Sequence, residues 1–233
     1  MRKVIRVIGV LLLIAGIGFF SYPIVLRESF HRQARKAMEQ FADIRAEGSA
    51  AQEGEDMLYA DLRSAMFAYN EALYLSGQRG LIDQLSYEEP DFHLSDYGIN
   101  SQVLGTISIP AIDVELPIYN GASEENMTKG AAYLANTSLP VGGENTNCVI
   151  AAHTRYHGVP MFKRITELQL GDEIYITNFW ETLVYRVSET KVIDPSDSQN
   201  IYIQPGRSLV TLSTCHPFPK NYQRYLVYAE LVE

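Results

Sequence analysis

The sequence predicts a mainly β domain, a barrel or sandwich with short helices inserted, behind an apolar N-terminal helix and a helical extension. Three observations carry this. From residue 103 onward, short apolar and β-branched runs recur between turn residues, the pattern of short strands. Ahead of them, apolar residues recur at helical spacing. At the start of the chain, residues 7–20 are unbroken apolar or glycine.

Ile24-Val25-Leu26 extends that first run past Ser21-Tyr22-Pro23, to about the 20 residues that span a bilayer. Arg2, Lys3 and Arg6 precede it, and no small-x-small cleavage site follows it cleanly. Residues 1–27 therefore read as an uncleaved signal anchor rather than a removed signal peptide. The basic cluster favours a cytoplasmic N-terminus; Arg27, Arg32, Arg35 and Lys36 beyond the run weigh the other way. Residues 28–80 read as a helical extension. Phe30, Ala34, Ala37, Met38 and Phe41 fall on one helix face, residues 48–54 form a break, and a second helix fits residues 56–75. Leu58, Leu62, Ala65, Met66, Tyr69 and Leu73 line that second helix, and Gly77 and Gly80 stop it. Residues 81–100 are irregular, acidic and aromatic, the composition of a long loop serving as a linker or as a functional cover.

Residues 101–233 form the β domain. Strands are expected at 104–110, 114–119, 147–152, 173–177, 182–187, 191–193, 208–214 and 225–231. Ser123 caps a short helix, a second short helix is expected at 161–168, and 194–200 is a polar loop.

The composition narrows the functions. A net charge of -9 argues against a nucleic-acid partner, which needs a basic face. Two cysteines give no disulfide framework, and both are expected to be free thiols. No zinc-type spacing and no phosphate-binding glycine loop is present, so no metal and no cofactor is expected.

The reactive residues sit at strand ends. The run 208–212 leads through Ser213-Thr214 to Cys215, at the start of the loop His216-Pro217-Phe218-Pro219. Cys148 lies inside an apolar run, where cysteine is usually packing. Residues 148–152 end on His153. Of the other histidines, His31 lies in the first helix and His93 in the acidic loop. His216 points away from Cys215 if its strand continues. His157, in a Gly-Pro loop, is an alternative acid/base, and a structural role for His153 weighs equally on the residues alone. Arg224 opens the last strand, where it can face Cys215; Arg155 and Arg207 compete less well. A thiol, an imidazole and a guanidinium can together perform acyl transfer through a thioester. With unperturbed pKa values of ~8.5 and ~6.5, thiolate and imidazolium coexist in on the order of one per cent of molecules near pH 7.5. Neutral thiol with neutral imidazole as general base is the other protonation scheme.

Thr211-Leu212-Ser213-Thr214-Cys215 with Arg224, after an earlier Ala152-His153-Thr154, resembles the signature of the sortases, the cysteine transpeptidases of Gram-positive surfaces. The resemblance covers about residues 100–233. It implies an eight-stranded β-barrel and a single-pass membrane anchor carrying an extracellular catalytic domain. It also implies recognition of a Leu-Pro-x-Thr-Gly-like (LPxTG-like) sorting signal, cleaved after the Thr. His153, Cys215 and Arg224 would be catalytic, and Leu212, Thr214 and Ile193 would bind substrate. Tyr69-Asn70-Glu71-Ala72-Leu73, Ile109-Pro110, residues 116–121 and residues 137–143 resemble class C, the pilin polymerases. The acceptor amine would then be a pilin lysine; the alternative is a cell-wall peptide, in housekeeping anchoring of surface proteins. Where the class C lid carries an Asp-Pro-aromatic plug, this chain has Glu89-Pro90-Asp91-Phe92, which makes Asp91 and Phe92 candidate lid residues over the cleft. Two further readings compete: a surface cysteine protease using water as acceptor, and a non-catalytic pilus accessory or adhesion module.

Overall fold

A computed structural model of the chain describes residues 2–50, 59–81, 89–156, 159 and 161–232. The β domain is a closed barrel of eight strands in the order β1-β2-β3-β4-β7-β8-β6-β5. In chain order these are β1 (Val103–Ile109), β2 (Val114–Asn120), β3 (Ala131–Tyr133), β4 (Thr146–Ala151), β5 (Glu173–Thr177), β6 (Thr182–Ile193), β7 (Ser208–His216) and β8 (Gln223–Leu231). Most neighbours are antiparallel; β2–β3 and β4–β7 are parallel. Closure removes the unpaired edges that an open sheet would expose. Gly105 sits on the β1–β5 seam, where a Cβ would lie 2.4 Å from the Thr177 carbonyl oxygen.

Several details differ from the sequence reading: α1 stays helical through Gly48–Ala50, where a break was expected at 48–54, and the remainder of that break, with residues 55–58, lies outside the described residues. β3 is an additional strand, only Ala-Ala-Tyr, too short to leave an alternating pattern. The expected strands at 182–187 and 191–193 are one strand, β6, which continues through a bulge between Val187 and Glu189. The helix expected at 161–168 is only a 3-10 turn, Ile165–Glu167.

Three α-helices accompany the barrel. α1 (Arg2–Ala50) is continuous and contains Pro23. Its apolar residues 7–20 are mostly exposed, and it is long and apolar enough to cross a membrane. Its second half packs on the barrel: Phe30, Ala34 and Phe41 are buried, with Ala37 and Ile44 partly so. Those five positions follow i, i+4, i+7, i+11, i+14, a single stripe on one helix face. Phe41 meets Phe179 of the β5–β6 turn edge-on at 5.1 Å. α2 (Ala60–Ser76) buries Leu62, Met66 and Asn70 and ends at Gly77, whose φ of 67° is the left-handed cap glycine favours. α3 (Glu124–Lys129) begins at Ser123, whose hydroxyl accepts from the Asn126 N–H at 3.2 Å.

Alternation along the strands separates two cores. The barrel interior holds residues such as Cys148, Ile150, Val210, Leu212, Val227 and Ala229. The outer face of β4, β7, β8 and the end of β6 carries a second cluster: Val149, Leu226, Tyr228 and Ile193, covered by Leu81, Leu134 and Ile201. The 194–207 segment is pinned over this face. Asn147 Nδ2 donates to the Ile201 carbonyl (3.0 Å), Tyr228 Oη to the Asn200 carbonyl (2.7 Å), and the Ile203 N–H to Gln78 Oε1 (2.6 Å).

Asn70 fastens α2 to the barrel through both amide atoms. Its Nδ2 donates to the Leu139 carbonyl (3.2 Å) and its Oδ1 accepts from the Leu139 N–H (2.7 Å). Asn70→Ala leaves a buried donor and a buried acceptor unpaired and is expected to cost about 2–4 kcal/mol. Chemical denaturation checks this; an unchanged midpoint would mean that the clip contributes nothing.

Candidate active site

Parallel pairing brings the two key strand ends together. Ala151 on β4 is paired with Ser213 on β7, and the next residue, Ala152, donates its N–H to the Ser213 carbonyl at 3.2 Å. Parallel strands end at the same rim, so His153 and Cys215 emerge side by side. β8 runs antiparallel to β7, so its first residues reach the same rim, and Arg224 lies directly opposite Cys215. Opposed residues on antiparallel strands project to one face with Cβ atoms about 4.5–5.5 Å apart. Across the next seam Arg224 pairs with Ile193 of β6.

Two hydroxyls hold the His153 segment against β7. Thr214 Oγ1 donates to the Ala152 carbonyl (2.8 Å), and Thr154 Oγ1 donates to the Cys215 carbonyl (2.7 Å). The two oxygens are 3.0 Å apart, and both side chains are buried. The residues on either side of His153 are thus tied to Thr214 and Cys215. The imidazole stacks on Tyr156 at 5.6 Å, and the His153 carbonyl accepts from the Phe162 N–H at 3.0 Å. Burial pushes the His153 pKa below its ordinary value, partly opposed by the Glu124 carboxylate. The neutral imidazole is therefore favoured at neutral pH.

Cys215 is a partly exposed free thiol. The Arg224 guanidinium donates to the neighbouring Gln223 carbonyl (3.1 Å) and forms no ion pair among the described residues. Cys148 is buried inside the barrel, where burial pushes its thiol far up, so it stays protonated. Arg207 is paired with Glu230 (3.2 Å) at the far end of β7, about 25 Å along the strand from Cys215. Arg155 lies over the Phe218 ring at 5.9 Å. His216 is still within β7 and packs beside Tyr225, on the face opposite Cys215. His31 lies in α1, His93 precedes the 3-10 turn Leu94–Tyr97, and His157 is outside the described residues.

Two assignments need correcting. Leu212 is wholly buried in the barrel interior, and Thr214 shares that interior face. A period of two places both on the opposite side of β7 from Cys215, so neither offers a surface to substrate; Thr214 acts on the backbone instead. Ile193 remains on the outer face beside Arg224. The residues that share the Cys215 face are Ser213 and Leu226, with Ala151 next to them. Strand alternation counted from Cys215 would have found them. Thr154 was visible only as part of the Ala-His-Thr string, with no local signal for its hydrogen bond.

The second correction concerns the lid. Phe92 is buried among α2, β2 and the Leu94–Tyr97 turn: it stacks on Tyr97 (5.4 Å), meets Tyr69 edge-on (5.9 Å), and its carbonyl accepts from Asn120 Nδ2 (2.7 Å). Asp91 is exposed and forms no ion pair with Arg224. The aromatic residue is an anchor between α2 and β2 rather than a plug. Residues 82–88, including Tyr87, lie outside the described residues.

A barrel of this topology with a thiol facing a guanidinium at one rim has the architecture of a cysteine transpeptidase. Residues 107–232, more than half of the chain, match the family model described as "Sortase domain", and the chain belongs to the sortase family. It is 30% identical over 137 residues to Sortase D of Bacillus subtilis (strain 168), covering 56% of this chain and just under two thirds, 65%, of that relative. Two solved structures resemble it over most of their length. Sortase C1 of GBS Pilus Island 1 superposes with a TM-score of 0.71 at 27% identity, covering 86% of this chain and 92% of that one. Sortase C-1 from Streptococcus pneumoniae gives 0.70 at 33% identity, covering 84% and 98%. Sortases are membrane-associated cysteine transpeptidases, and the eight-stranded barrel expected from the resemblance is the fold observed.

Glu124 opposes the effect of burial on His153. Glu124→Gln is therefore expected to lower the His153 pKa further, read as a lower midpoint in a histidine-ring NMR titration. An unchanged midpoint would remove Glu124 from the electrostatics of the site.

Proposed function

We propose that this protein is a membrane-anchored transpeptidase that cleaves an LPxTG-like sorting signal after the Thr and transfers the acyl group to an amine, a pilin lysine. As Cys215 Sγ attacks the scissile carbonyl carbon its proton passes to the neutral His153 imidazole, and Arg224 donates to the oxygen that becomes an oxyanion. His153 gives its proton to the leaving amine nitrogen as the C–N bond breaks, which leaves a thioester on Cys215. The incoming amine attacks that thioester and loses its proton to His153, and the thiol departs. The carrying observation is the pairing of Cys215 with Arg224 while β4 delivers His153 to the same rim.

The class C acceptor rests on solved sortases named for pilus systems and on the Tyr-Asn helix motif, whose Asn70 clips α2 to the barrel. α1 supplies the single-pass anchor, with the catalytic domain on the extracellular side. Phe30, four residues past Leu26, is already buried on the barrel, which holds the domain within about 6 Å of the end of the apolar run.

Incubation with sorting-signal peptide, with and without a lysine-bearing pilin peptide, followed by mass spectrometry, tests the reading. A new amide to the pilin lysine supports it. Transfer only to a cell-wall peptide would make it a housekeeping anchoring enzyme, hydrolysis alone a cysteine protease, and an unreactive Cys215 an adhesion module.

Substitutions sharpen the test. Cys215→Ala should abolish turnover, whereas Cys148→Ala should retain most of it. His153→Ala and Arg224→Ala should each lose about a hundredfold or more. Arg224→Lys should also be poor, since a point charge cannot reproduce the planar fork. Thr154→Val removes the tie to the Cys215 carbonyl and is expected to slow turnover about tenfold through misplacement of His153. Full activity in Thr154→Val would show that the tie is dispensable.

A further inference from the structure

Taking the Cys215 proton makes His153 a cation for part of each cycle, and its surroundings oppose that charge. The imidazole is half-buried, and burial disfavours the protonated ring. Few charged or titratable groups surround it. Cys215 on β7 and Arg224 on β8 share its rim, and a nearby guanidinium raises the cost of a second cation. Arg155, two residues on, lies over the Phe218 ring at 5.9 Å, in the loop that follows β7. Glu124 is the carboxylate that favours the imidazolium, and it is exposed at the start of α3, where solvent and salt screen it.

One face of the ring is nevertheless covered by a group that suits a cation. Tyr156 stacks on the imidazole with the centroids 5.6 Å apart and the planes 14° from parallel. The negative face of an aromatic ring attracts a cation within about 6 Å of its centroid. The Tyr156 ring is also fixed in place. Its own N–H donates to the Val159 carbonyl (3.1 Å), its carbonyl accepts from the Val159 N–H (2.8 Å), and the side chain packs on the barrel core. The Phe162 N–H, donating to the His153 carbonyl (3.0 Å), holds the same loop from the other end. An aliphatic side chain would seat a neutral imidazole as well; only a π face also favours the charged one.

We propose that Tyr156 is a positioning residue for the acid/base step: its ring face holds the His153 imidazole and carries part of the imidazolium charge. This rests on the transpeptidase reading above and adds to it a residue beyond Cys215, His153 and Arg224. The step balances without any further group. The Cys215 S–H bond breaks, its proton moves to an imidazole nitrogen, and the electron pair left on sulfur forms the bond to the scissile carbonyl carbon. The proton leaves later on the departing amine nitrogen. Tyr156 gains its interaction when the proton arrives and gives it up when the proton goes. It therefore lowers the barrier to thioester formation rather than tightening substrate binding.

The test compares Tyr156→Leu, which fills the space without a π face, with Tyr156→Phe, which keeps the ring and drops the hydroxyl. Histidine-ring NMR of the full-length protein gives the His153 midpoint. Quenched-flow mass spectrometry gives the rate of thioester formation with sorting-signal peptide across pH. Tyr156→Leu should lower the midpoint and slow thioester formation about fivefold. His153 must be neutral to take the Cys215 proton, so the acid limb of the rate profile should move to lower pH with the midpoint. Tyr156→Phe should keep the midpoint and the rate. Pentafluorophenylalanine at position 156 has the same ring shape with the face charge reversed; it should behave as Tyr156→Leu does and decides the matter if the leucine variant fails a thermal melt. An unchanged midpoint in the ring-free or fluorinated variant overturns the proposal, as does a slower rate whose acid limb stays in place, the mark of a ring merely displaced. A phenylalanine variant as impaired as the leucine one assigns the effect to the hydroxyl and overturns it too. Absence of a thioester on Cys215 in the unsubstituted protein refutes the transpeptidase reading and with it the catalytic role of Tyr156, whereas a thioester formed with no shift in any midpoint refutes the role of Tyr156 alone.

Discussion

The reactive rim depends on β4 and β7 lying side by side in parallel. Their sequences are about sixty residues apart, and antiparallel pairing would have sent their ends to opposite poles of the barrel. Parallel pairing from Thr146↔Ser208 to Ala151↔Ser213 instead delivers His153 and Cys215 to one end. Antiparallel β8 then returns Arg224 to the same place. Three groups from distant parts of the chain meet because of two strand registers, and a slip of one residue in either would turn a reactive side chain to the wrong face. The Thr154 and Thr214 hydroxyls guard against such a slip at the point where the β4 ladder ends.

The surroundings of the rim follow from covering the outer face of the same strands. The 194–207 segment lies over Val149, Leu226 and Tyr228 and is held by Asn147, Tyr228 and Gln78. Gln78 also donates to the Asn136 carbonyl (3.3 Å), so the residues after α2 link two loops of the barrel. With Asn70 on Leu139 and the Phe30–Phe41 stripe of α1, the helical segments are integral to the β domain's packing. Deleting them would expose buried apolar surface on β1 and β2.

Much of this arrangement was legible in the sequence, and the exceptions have physical causes. Runs such as 173–177 and 208–214 announce strands because local pattern and burial agree. β3 did not, since three residues carry no periodicity and its place is set by Ile118 and Ile150 on its neighbours. The β6 bulge hid a single strand behind an apparent interruption. Cys215, His153 and Arg224 stood out as reactive types at strand ends, yet their meeting depends on strand order, which no local pattern encodes. Leu212 and Thr214 were misplaced by nearness in sequence, although alternation from Cys215 would have put them inside. Phe92 shows the opposite limit. An aromatic in an acidic loop reads equally as plug or anchor, and only its contacts with Tyr69, Tyr97 and Asn120 decide.

The central claim is that the register of β4, β7 and β8 makes Cys215 the reacting thiol of a transpeptidase. The most direct measurement is intact-protein and peptide-level mass spectrometry of the full-length protein quenched in acid after mixing with a sorting-signal peptide. The account predicts an acyl adduct, cleaved after the Thr, on the peptide that contains Cys215, discharged when an amine acceptor is added. An adduct on Cys148, or no adduct on either cysteine under conditions where the signal is cleaved, would contradict it.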